Sequence, residues 1–293
     1  MMRSTFFIVG APKCGTSSLA DWLSAHPDVF VSPFKEPHYY AHDLHGRQVS
    51  TRAAYERLFR KLDPKHRASG EASTWYLYSR TAVPEILNEH PRARLIVCLR
   101  NPVDMASSLH DQYLRAGVED LTDLATAWRL EPSRAAGAHL PAGCKDPQML
   151  QYSRICALGE QLDRLYDAAD PEQILPVLLD DLRASPEATY GRVLTFIDVP
   201  PDGRTSFPTI NSSSASRSPR LGTLLRGASR FRAALRLPAP GTGLSARLER
   251  MNRRPRPRPP LDPELRQELC ETFRPEIESI EHRLGRDLSH WKV

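Results

Sequence analysis

A glycine loop directly after a short apolar segment constrains the fold of this chain more than any other feature. Phe6–Val9 is apolar, and the loop that follows it reads Gly10-Ala11-Pro12-Lys13-Cys14-Gly15-Thr16-Ser17. Apolar residues then recur at helical spacing from Leu19, which predicts a helix that begins near Gly15. A loop between a strand and a helix N-terminus brings backbone N–H groups and the positive end of the helix dipole to one phosphate-sized site. The pattern predicts an anion-binding turn; a turn that needs glycine only for steric reasons is the alternative.

Strand and helix patterns alternate along the rest of the chain. The clearest strand, Arg94–Arg100, is apolar between its two arginines, as expected for a parallel strand covered on both faces. Asn101 and Pro102 form a favourable helix start. We therefore predict an α/β fold: a P-loop-like, three-layer α/β/α arrangement around a central, mainly parallel sheet. Further strands are predicted at 29–31 and 174–179, helices at 55–62, 82–89, 103–115, 155–168 and 190–197, and loops at 131–147 and 201–219. Pro176 indicates that the last strand lies at a sheet edge.

Charge is distributed unevenly along the chain. The net charge is +5, yet residues 217–258 hold twelve arginines and a single acid, Glu249. Such a segment suits an anionic partner, although it is also compatible with a solvated linker. We predict one domain over 1–293, with an Arg/Pro-rich basic segment at about 217–260 and an amphipathic C-terminal helix at about 262–285.

The five cysteines are scattered and show neither C-x-x-C nor other metal-ligand spacing. A reducing compartment and the absence of a metal are therefore expected. The apolar run Phe6–Val9 is shorter than the roughly 7–15 residues of a signal-peptide core. No apolar run approaches the roughly 20 residues of a membrane helix. These features together predict a cytoplasmic location.

The loop differs from the Walker A pattern of ATP-hydrolysing proteins. The two glycines have the Walker A spacing, but Thr16 stands where that pattern has its lysine, and Lys13 is the lysine of this loop. A Walker A loop needs its lysine on the β- and γ-phosphates and a hydroxyl on Mg²⁺. No downstream strand ends in a convincing Walker B aspartate. The loop therefore favours a nucleotide other than Mg·ATP.

Four motifs together resemble those of sulfotransferases that use 3′-phosphoadenylyl sulfate (PAPS). The glycine loop is similar to the family's 5′-phosphosulfate loop and is closest to that of its heparan-sulfate and bacterial branch. The others, in the family's order, are Lys35-Glu36-Pro37-His38-Tyr39-Tyr40, Gly70-Glu71-Ala72-Ser73, and Arg100-Asn101-Pro102 with Ser108. Beyond Gln151 the resemblance is looser, although Leu288–Trp291 also looks similar to the family.

The resemblance implies where the donor binds. Arg100 and Ser108 would bind its 3′-phosphate, and Arg217 is the candidate for the remaining contacts to that end of the nucleotide. Lys13 would reach the bridging oxygen and the leaving 5′-phosphate during transfer. The residues implied in the 5′-phosphate site are Lys13, Cys14, Gly15, Thr16, Ser17 and Ser18.

The resemblance also implies a catalytic set of Glu36, Lys13 and His38. Glu36 would be the general base, which must lie within hydrogen-bond reach of the acceptor's hydroxyl. His38 would lie on the same side of an extended segment and orient the acceptor or assist with its proton. Where heparan-type members carry a lysine after the motif's glutamate, this chain has Ala72. A second cation is therefore missing at that position or supplied from elsewhere, which argues against heparan-like substrates.

The predicted function is transfer of a sulfuryl group from PAPS to a hydroxyl or amine of a glycan, lipid or small metabolite. Adenosine 3′,5′-bisphosphate (PAP) would be the product, and no metal is expected. One alternative is a P-loop-type kinase for a small molecule. The other is a basic protein that binds nucleic acid or an anionic membrane through residues 217–258. The basic segment lacks interleaved aromatic residues and no nucleic-acid motif is visible, so nucleic acid is not expected, while peripheral contact with an anionic surface remains open.

Overall fold

A five-stranded parallel sheet in the order β2-β3-β1-β4-β5 forms the centre of the fold. The computed structural model describes residues 5–209 and 260–293, together with the backbone of 214–216 and 253–255. The strands are β1 (Phe6–Gly10), β2 (Val29–Val31), β3 (Ala68–Ala72), β4 (Arg94–Leu99) and β5 (Ile174–Leu178). Helices flank the sheet, so the predicted P-loop-like α/β class is confirmed.

Each predicted helix has a counterpart in the described residues, but the helix predicted over 55–62 lies at Arg52–Arg57, and the one predicted over 155–168 is interrupted between Ile155 and Leu158. The described helices are α1 (Thr16–Ser24), α2 (Arg52–Arg57), α3 (Ala82–Glu89), α4 (Pro102–Ala116), α5 (Leu124–Arg129), α6 (Glu131–Ala135), α7 (Tyr152–Ile155), α8 (Leu158–Ala168), α9 (Leu179–Ala184), α10 (Pro186–Phe196) and α11 (Pro263–Leu284). Short 3₁₀ turns occupy Pro147–Leu150, Pro171–Gln173 and Ser289–Trp291. In the described part of the chain, no helix has both the length and the apolar character that crossing a membrane requires.

The core lies around the two central strands. Every residue of β1 is buried, and so is β4 from Leu95 onward, as the continuous apolar pattern predicts. Burying one large aliphatic or aromatic side chain stabilises a fold by about 1.5–3 kcal/mol, so these two strands contribute strongly to the stability of the fold. Pro176 pairs with Val97 in edge strand β5, in agreement with the predicted edge position.

Strand β3 was not predicted, because its sequence Ala-Ser-Gly-Glu-Ala has few residues that favour strands. It forms because β1 and β2 pair with it on both sides. A Cβ atom at Gly70 would lie 2.3 Å from the carbonyl oxygen of Phe6, so only glycine allows β1 to approach this closely. Tertiary pairing here outweighs local propensity.

The prediction of a surface loop over 131–147 is wrong at its beginning. Glu131–Ala135 forms α6, and the Arg134 guanidinium is buried in a two-point ion pair with Glu119, at 2.6 and 2.8 Å. The hydroxyl of Tyr152 also donates to Glu119, at 2.9 Å. A buried, fully hydrogen-bonded arginine orders this segment, and the pattern of small residues gave no sign of that partner.

The chain divides into a larger unit, Met1–Pro208 with Leu261–Val293, and a smaller unit, Thr209–Pro260. In the smaller unit the structure describes two short antiparallel strands, β6 (Ser214–Ser216) and β7 (Arg253–Pro255). The prediction of a loop over 201–219 is therefore wrong at Ser214–Ser216. A local sequence pattern could not reveal this strand, because its pairing partner β7 lies far along the chain. Arg217 and most of the basic segment lie outside the described residues. The prediction of a single domain stays a prediction.

Candidate active site

The glycine loop connects β1 to α1 at the carboxyl end of the central strand, where open α/β sheets bind ligands. Gly15 is the N-cap residue of α1 with a left-handed φ of 93°, and no side chain caps the helix. A Cβ at Gly15 would also lie 2.8 Å from the Cδ1 atom of Leu182. Gly15 is therefore required both by its backbone conformation and by close packing. The helix N-terminus that it opens is suited to an anion.

Arg100 lies against this loop, directly after β4. Its Nη1 donates to the carbonyl oxygen of Lys13 at 3.4 Å, and its Nη2 donates to Oδ2 of Asp104 at 3.4 Å. Its Nε is buried and has no hydrogen-bond partner among the described residues. A buried donor without a partner costs about 1–3 kcal/mol, so this guanidinium is a candidate for an anionic ligand. The structure thus brings Arg100 and the loop together.

Cys14 occupies the loop in a way that excludes its side chain from ligand binding. The side chain is buried, and its thiol donates to the carbonyl oxygen of Pro12 at 3.3 Å. Burial raises the pKa of the thiol to about 12, although the charges of Arg100 and Lys13 oppose this. Any contact of Cys14 with a donor must come from its backbone.

Lys35 reaches the loop from the segment after β2. Its ammonium donates to Oγ of Ser17 at 2.6 Å and to Oε1 of Glu36 at 3.2 Å. The neighbouring loop residues Thr16 and Ser18 are buried in the first turn of α1. Lys35 belonged to a motif in the sequence but had no assigned role, and its nearness to Ser17 depends on the tertiary structure.

Glu36 and His38 come together, but not through an extended backbone. Both residues have left-handed φ angles, 62° and 51°, and Oε2 of Glu36 lies 3.5 Å from Nε2 of His38. Such a conformation costs a non-glycine residue about 1–3 kcal/mol. The end of β3 holds it: the Glu36 N–H donates to the carbonyl oxygen of Ala72 at 2.9 Å, and the His38 N–H donates to Oγ of Ser73 at 3.1 Å.

The electrostatics of Glu36 favour its charged form. Partial burial raises its pKa, but the hydrogen bond from His38 and the charge of Lys35 outweigh this and lower the pKa to about 2. The carboxylate is therefore ionised and can accept a proton, although so low a pKa makes it a weak base in this arrangement.

Glu71 is a second carboxylate at the end of β3, and it is fully buried. It accepts hydrogen bonds from Ser73 Oγ at 2.7 Å, the Tyr76 hydroxyl at 2.7 Å and the Tyr55 hydroxyl at 3.2 Å. Burial raises its pKa to about 7, even though the three hydroxyls act in the opposite direction. Through Ser73, this network fixes the backbone of His38. The sequence signal for this residue is an acidic side chain between small residues in the strand Ala68–Ala72.

The turn after β4 is hydrogen-bonded to the C-terminal 3₁₀ turn, Ser289–Trp291. Asn101 caps α4 as predicted, since its Oδ1 accepts from the Val103 N–H at 3.0 Å, and its Nδ2 donates to the Trp291 carbonyl oxygen at 3.1 Å. The Trp291 indole donates to Asp180 Oδ2 at 2.7 Å. Ser108 lies buried two turns into α4. The C-terminal turn therefore supports the position of Arg100.

The described residues contain no group of three or more His, Cys, Asp or Glu side chains that could hold a metal ion. The site instead concentrates cations and helix N–H groups around one loop. Together with the sheet order, it defines a P-loop-like α/β protein with a candidate anion-binding site at the carboxyl ends of β1, β3 and β4.

A model of the sulfotransferase domain matches residues 3–213, and the chain belongs to this family. This confirms the family that the four sequence motifs predicted and, at the level of the family, the predicted class of enzyme. The match includes the glycine loop, the 35–40 motif, the 70–73 motif and Arg100.

Individual proteins agree with this assignment. The chain is 25% identical over 280 residues to human carbohydrate sulfotransferase 15, covering 73% of this chain and 47% of that protein. The rat carbohydrate sulfotransferase 15 is 28% identical over 151 residues, which cover 37% of this chain and 26% of the rat protein. The chain thus spans about half the length of the human relative. A solved sulfotransferase from Alicyclobacillus acidocaldarius has a TM-score of 0.74 and 25% identity, with each chain fully covered.

Proposed function

We propose that this protein transfers a sulfuryl group from PAPS to an acceptor hydroxyl or amine. The acceptor atom attacks sulfur, the bond between sulfur and the oxygen of the 5′-phosphate breaks, PAP leaves, and the acceptor's proton passes to Glu36. The observation that carries the proposal is the pair of hydrogen bonds from Lys35 to Ser17 and to Glu36. Through these two bonds, the Lys35 side chain connects the glycine loop, which would bind the donor, to the Glu36 carboxylate. A donor in the loop and the proposed base would therefore lie close together.

The residues present suit the donor's two anionic ends. The uncapped N-terminus of α1 and the backbone of Gly15–Ser17 would bind the 5′-phosphate, and Lys13 would stabilise the negative charge that develops on the leaving oxygen. Arg100 would bind the 3′-phosphate, since its buried Nε has no partner among the described residues. Ser108, buried about two turns into α4, would add a hydroxyl. Arg217 remains a proposed contact outside the described residues.

Glu36 is proposed as the general base and His38 as the residue that orients it. The contact between the two side chains and their attachment to β3 support these roles. Proton transfer to a positioned side chain typically contributes about 10²–10⁴-fold to a rate.

We propose a carbohydrate as the first acceptor to test, because the human and rat relatives are carbohydrate sulfotransferases. Lipid headgroups and small metabolites follow. A cytoplasmic location is proposed as well, on the ground that all five cysteines are free thiols. Contact of residues 217–258 with an anionic surface stays a prediction.

The direct test is binding of PAP without added metal. Thermal unfolding and titration calorimetry should show that PAP binds and stabilises the protein, and that Lys13→Ala and Arg100→Ala abolish this. The exposed Lys65→Ala variant is the matched control. Acceptors are then screened by transfer of labelled sulfate. Tight binding of Mg·ATP with no binding of PAP would support a small-molecule kinase and overturn the proposal.

A further inference from the structure

The side chain of Lys35 joins the glycine loop to the candidate base through two hydrogen bonds. Its Nζ lies 2.6 Å from Ser17 Oγ and 3.2 Å from Glu36 Oε1. The side chains of Lys35 and Glu36 are 33% and 36% exposed. A lysine that is partly in water and has a flexible four-carbon stem can exchange one anionic partner for another at small cost.

Lys35 also lies near the end of β3, where the strand's last residue, Ala72, carries no charge. Strand β3 ends in Ala72, and the Glu36 N–H is hydrogen-bonded to the carbonyl oxygen of Ala72 at 2.9 Å. Lys35 is therefore held next to the end of β3, between the loop and the base. It supplies a second cation there although residue 72 carries none.

The present arrangement is unfavourable for proton transfer. Among the described residues, the charged or titratable groups that interact with Glu36 are Lys35 and His38, and the end of β3 contributes the neutral Ala72 carbonyl. Lys35 and His38 both lower the pKa of Glu36, to about 2. A carboxylate so strongly held takes a proton from an acceptor hydroxyl less readily than one whose pKa is nearer to neutrality.

We propose that Lys35 couples donor binding to activation of the base: the anionic donor competes with Glu36 for the Lys35 ammonium and draws it away from the carboxylate. This inference rests on the proposed function. The 5′-phosphosulfate brings negative charge to Ser17, within reach of the ammonium, and competes with Glu36 for it. Release of Lys35 makes Glu36 a stronger base at the moment when the sulfuryl group is in place. No bond is made or broken in this step.

The test is a carboxyl titration of Glu36 with and without PAP. The full-length protein is labelled with ¹³C at glutamate, and the Glu36 signal is identified by its loss in Glu36→Gln. We expect PAP to move the titration of Glu36 to higher pH in the wild type. In Lys35→Met the titration should already lie higher without PAP, and PAP should shift it less, since only the direct effect of the phosphate remains.

Three further measurements make the result decisive. Lys35→Arg should keep most of the PAP-dependent shift, and the exposed Lys65→Met should behave as the wild type. Thermal unfolding checks that each variant folds. An equal PAP-dependent shift in the wild type and Lys35→Met would overturn the coupling alone. Failure of the wild type to bind PAP in calorimetry would overturn the proposed function and the coupling with it.

Discussion

Two carboxylates at the end of β3 have opposite environments. Glu36 is partly exposed and is held by an ammonium and an imidazole, and its pKa falls to about 2. Glu71 is fully buried, is held by three neutral hydroxyls, and its pKa rises to about 7. Both carboxylates accept hydrogen bonds from side chains, so hydrogen bonding alone does not explain why their pKa values shift in opposite directions. Charged partners offset the desolvation of a carboxylate, and neutral partners offset it only in part.

The contrast separates two tasks. Glu36 stays ionised beside the loop and faces solvent, as a residue that must meet a substrate does. Glu71 is closed off by Tyr55, Tyr76 and Ser73, and it holds the backbone from which His38 projects. Chemistry is assigned to the carboxylate with charged, movable partners, and support to the one with fixed, neutral partners.

The largest effect is expected from Glu36→Gln, which removes the proposed base and keeps the size of the side chain. The rate of sulfuryl transfer should fall by roughly 10²–10⁴-fold, while PAP binding is not weakened. Initial rates with labelled PAPS and calorimetry with PAP measure the two. The exposed Glu187→Gln is the control and should keep the wild-type rate. Unchanged turnover in Glu36→Gln would remove this residue as the base.

Replacing the buried carboxylate should affect stability first. Glu71→Ala leaves three hydroxyls without their acceptor, so the free energy of unfolding should fall by about 3 kcal/mol. Glu71→Gln keeps a carbonyl acceptor and should lose less. Urea denaturation measures both variants. A Glu71→Ala protein as stable as the wild type would show that the hydroxyl network does not hold this part of the fold.

The raised pKa of Glu71 should make the protein less stable as the pH rises. The folded pKa of this carboxyl, about 7, lies above the ordinary value of 4.5, so the folded state binds its proton more tightly. This contribution is complete below pH 4.5 and is lost as the pH rises through about 7. Between about pH 4 and about pH 8 the wild type should lose about 3 kcal/mol relative to Glu71→Gln. Parallel stability curves for the two proteins would contradict the raised pKa.

The lowered pKa of Glu36 should have the opposite effect on stability, which then falls as the pH falls. This is the smallest of the expected effects. The folded pKa of Glu36, about 2, lies below 4.5, so its stabilisation is present above pH 4.5 and is lost as the pH falls through about 2. Because the side chain is partly exposed, solvent and salt screen the interaction. Acid unfolding of the wild type and Glu36→Gln should differ slightly, and less in high salt. A difference larger than that for Glu71 would reverse the comparison.

Parts of the fold could be predicted because their signals are local. The continuous apolar run of β4, the cap formed by Asn101 and Pro102, and the glycine spacing after β1 each depend on neighbouring residues alone. Strand β3 and helix α6 could not be predicted in this way. The first needs two strands beside it, and the second contains an arginine that is stable in the interior because Glu119 meets it there.

For the site, motif order predicted which segments matter but not how they meet. Glu36 and His38 lie side by side through left-handed backbone conformations that the segment's composition does not favour. Cys14 was predicted among the donor contacts, but its side chain is turned into the core. The motifs contain Lys35 and Glu71, but their contacts depend on the tertiary structure.

The amino-acid sequence by itself determined the family, the α/β class and the position of the glycine loop, because glycine spacing and apolar runs act over a few residues. Tertiary structure alone decided the charge state of the site. A pKa depends on burial and on which charges lie within a few ångströms, and residues far apart in the chain set both. The meeting of Ser17, Lys35 and the end of β3 is therefore a property of the folded sheet.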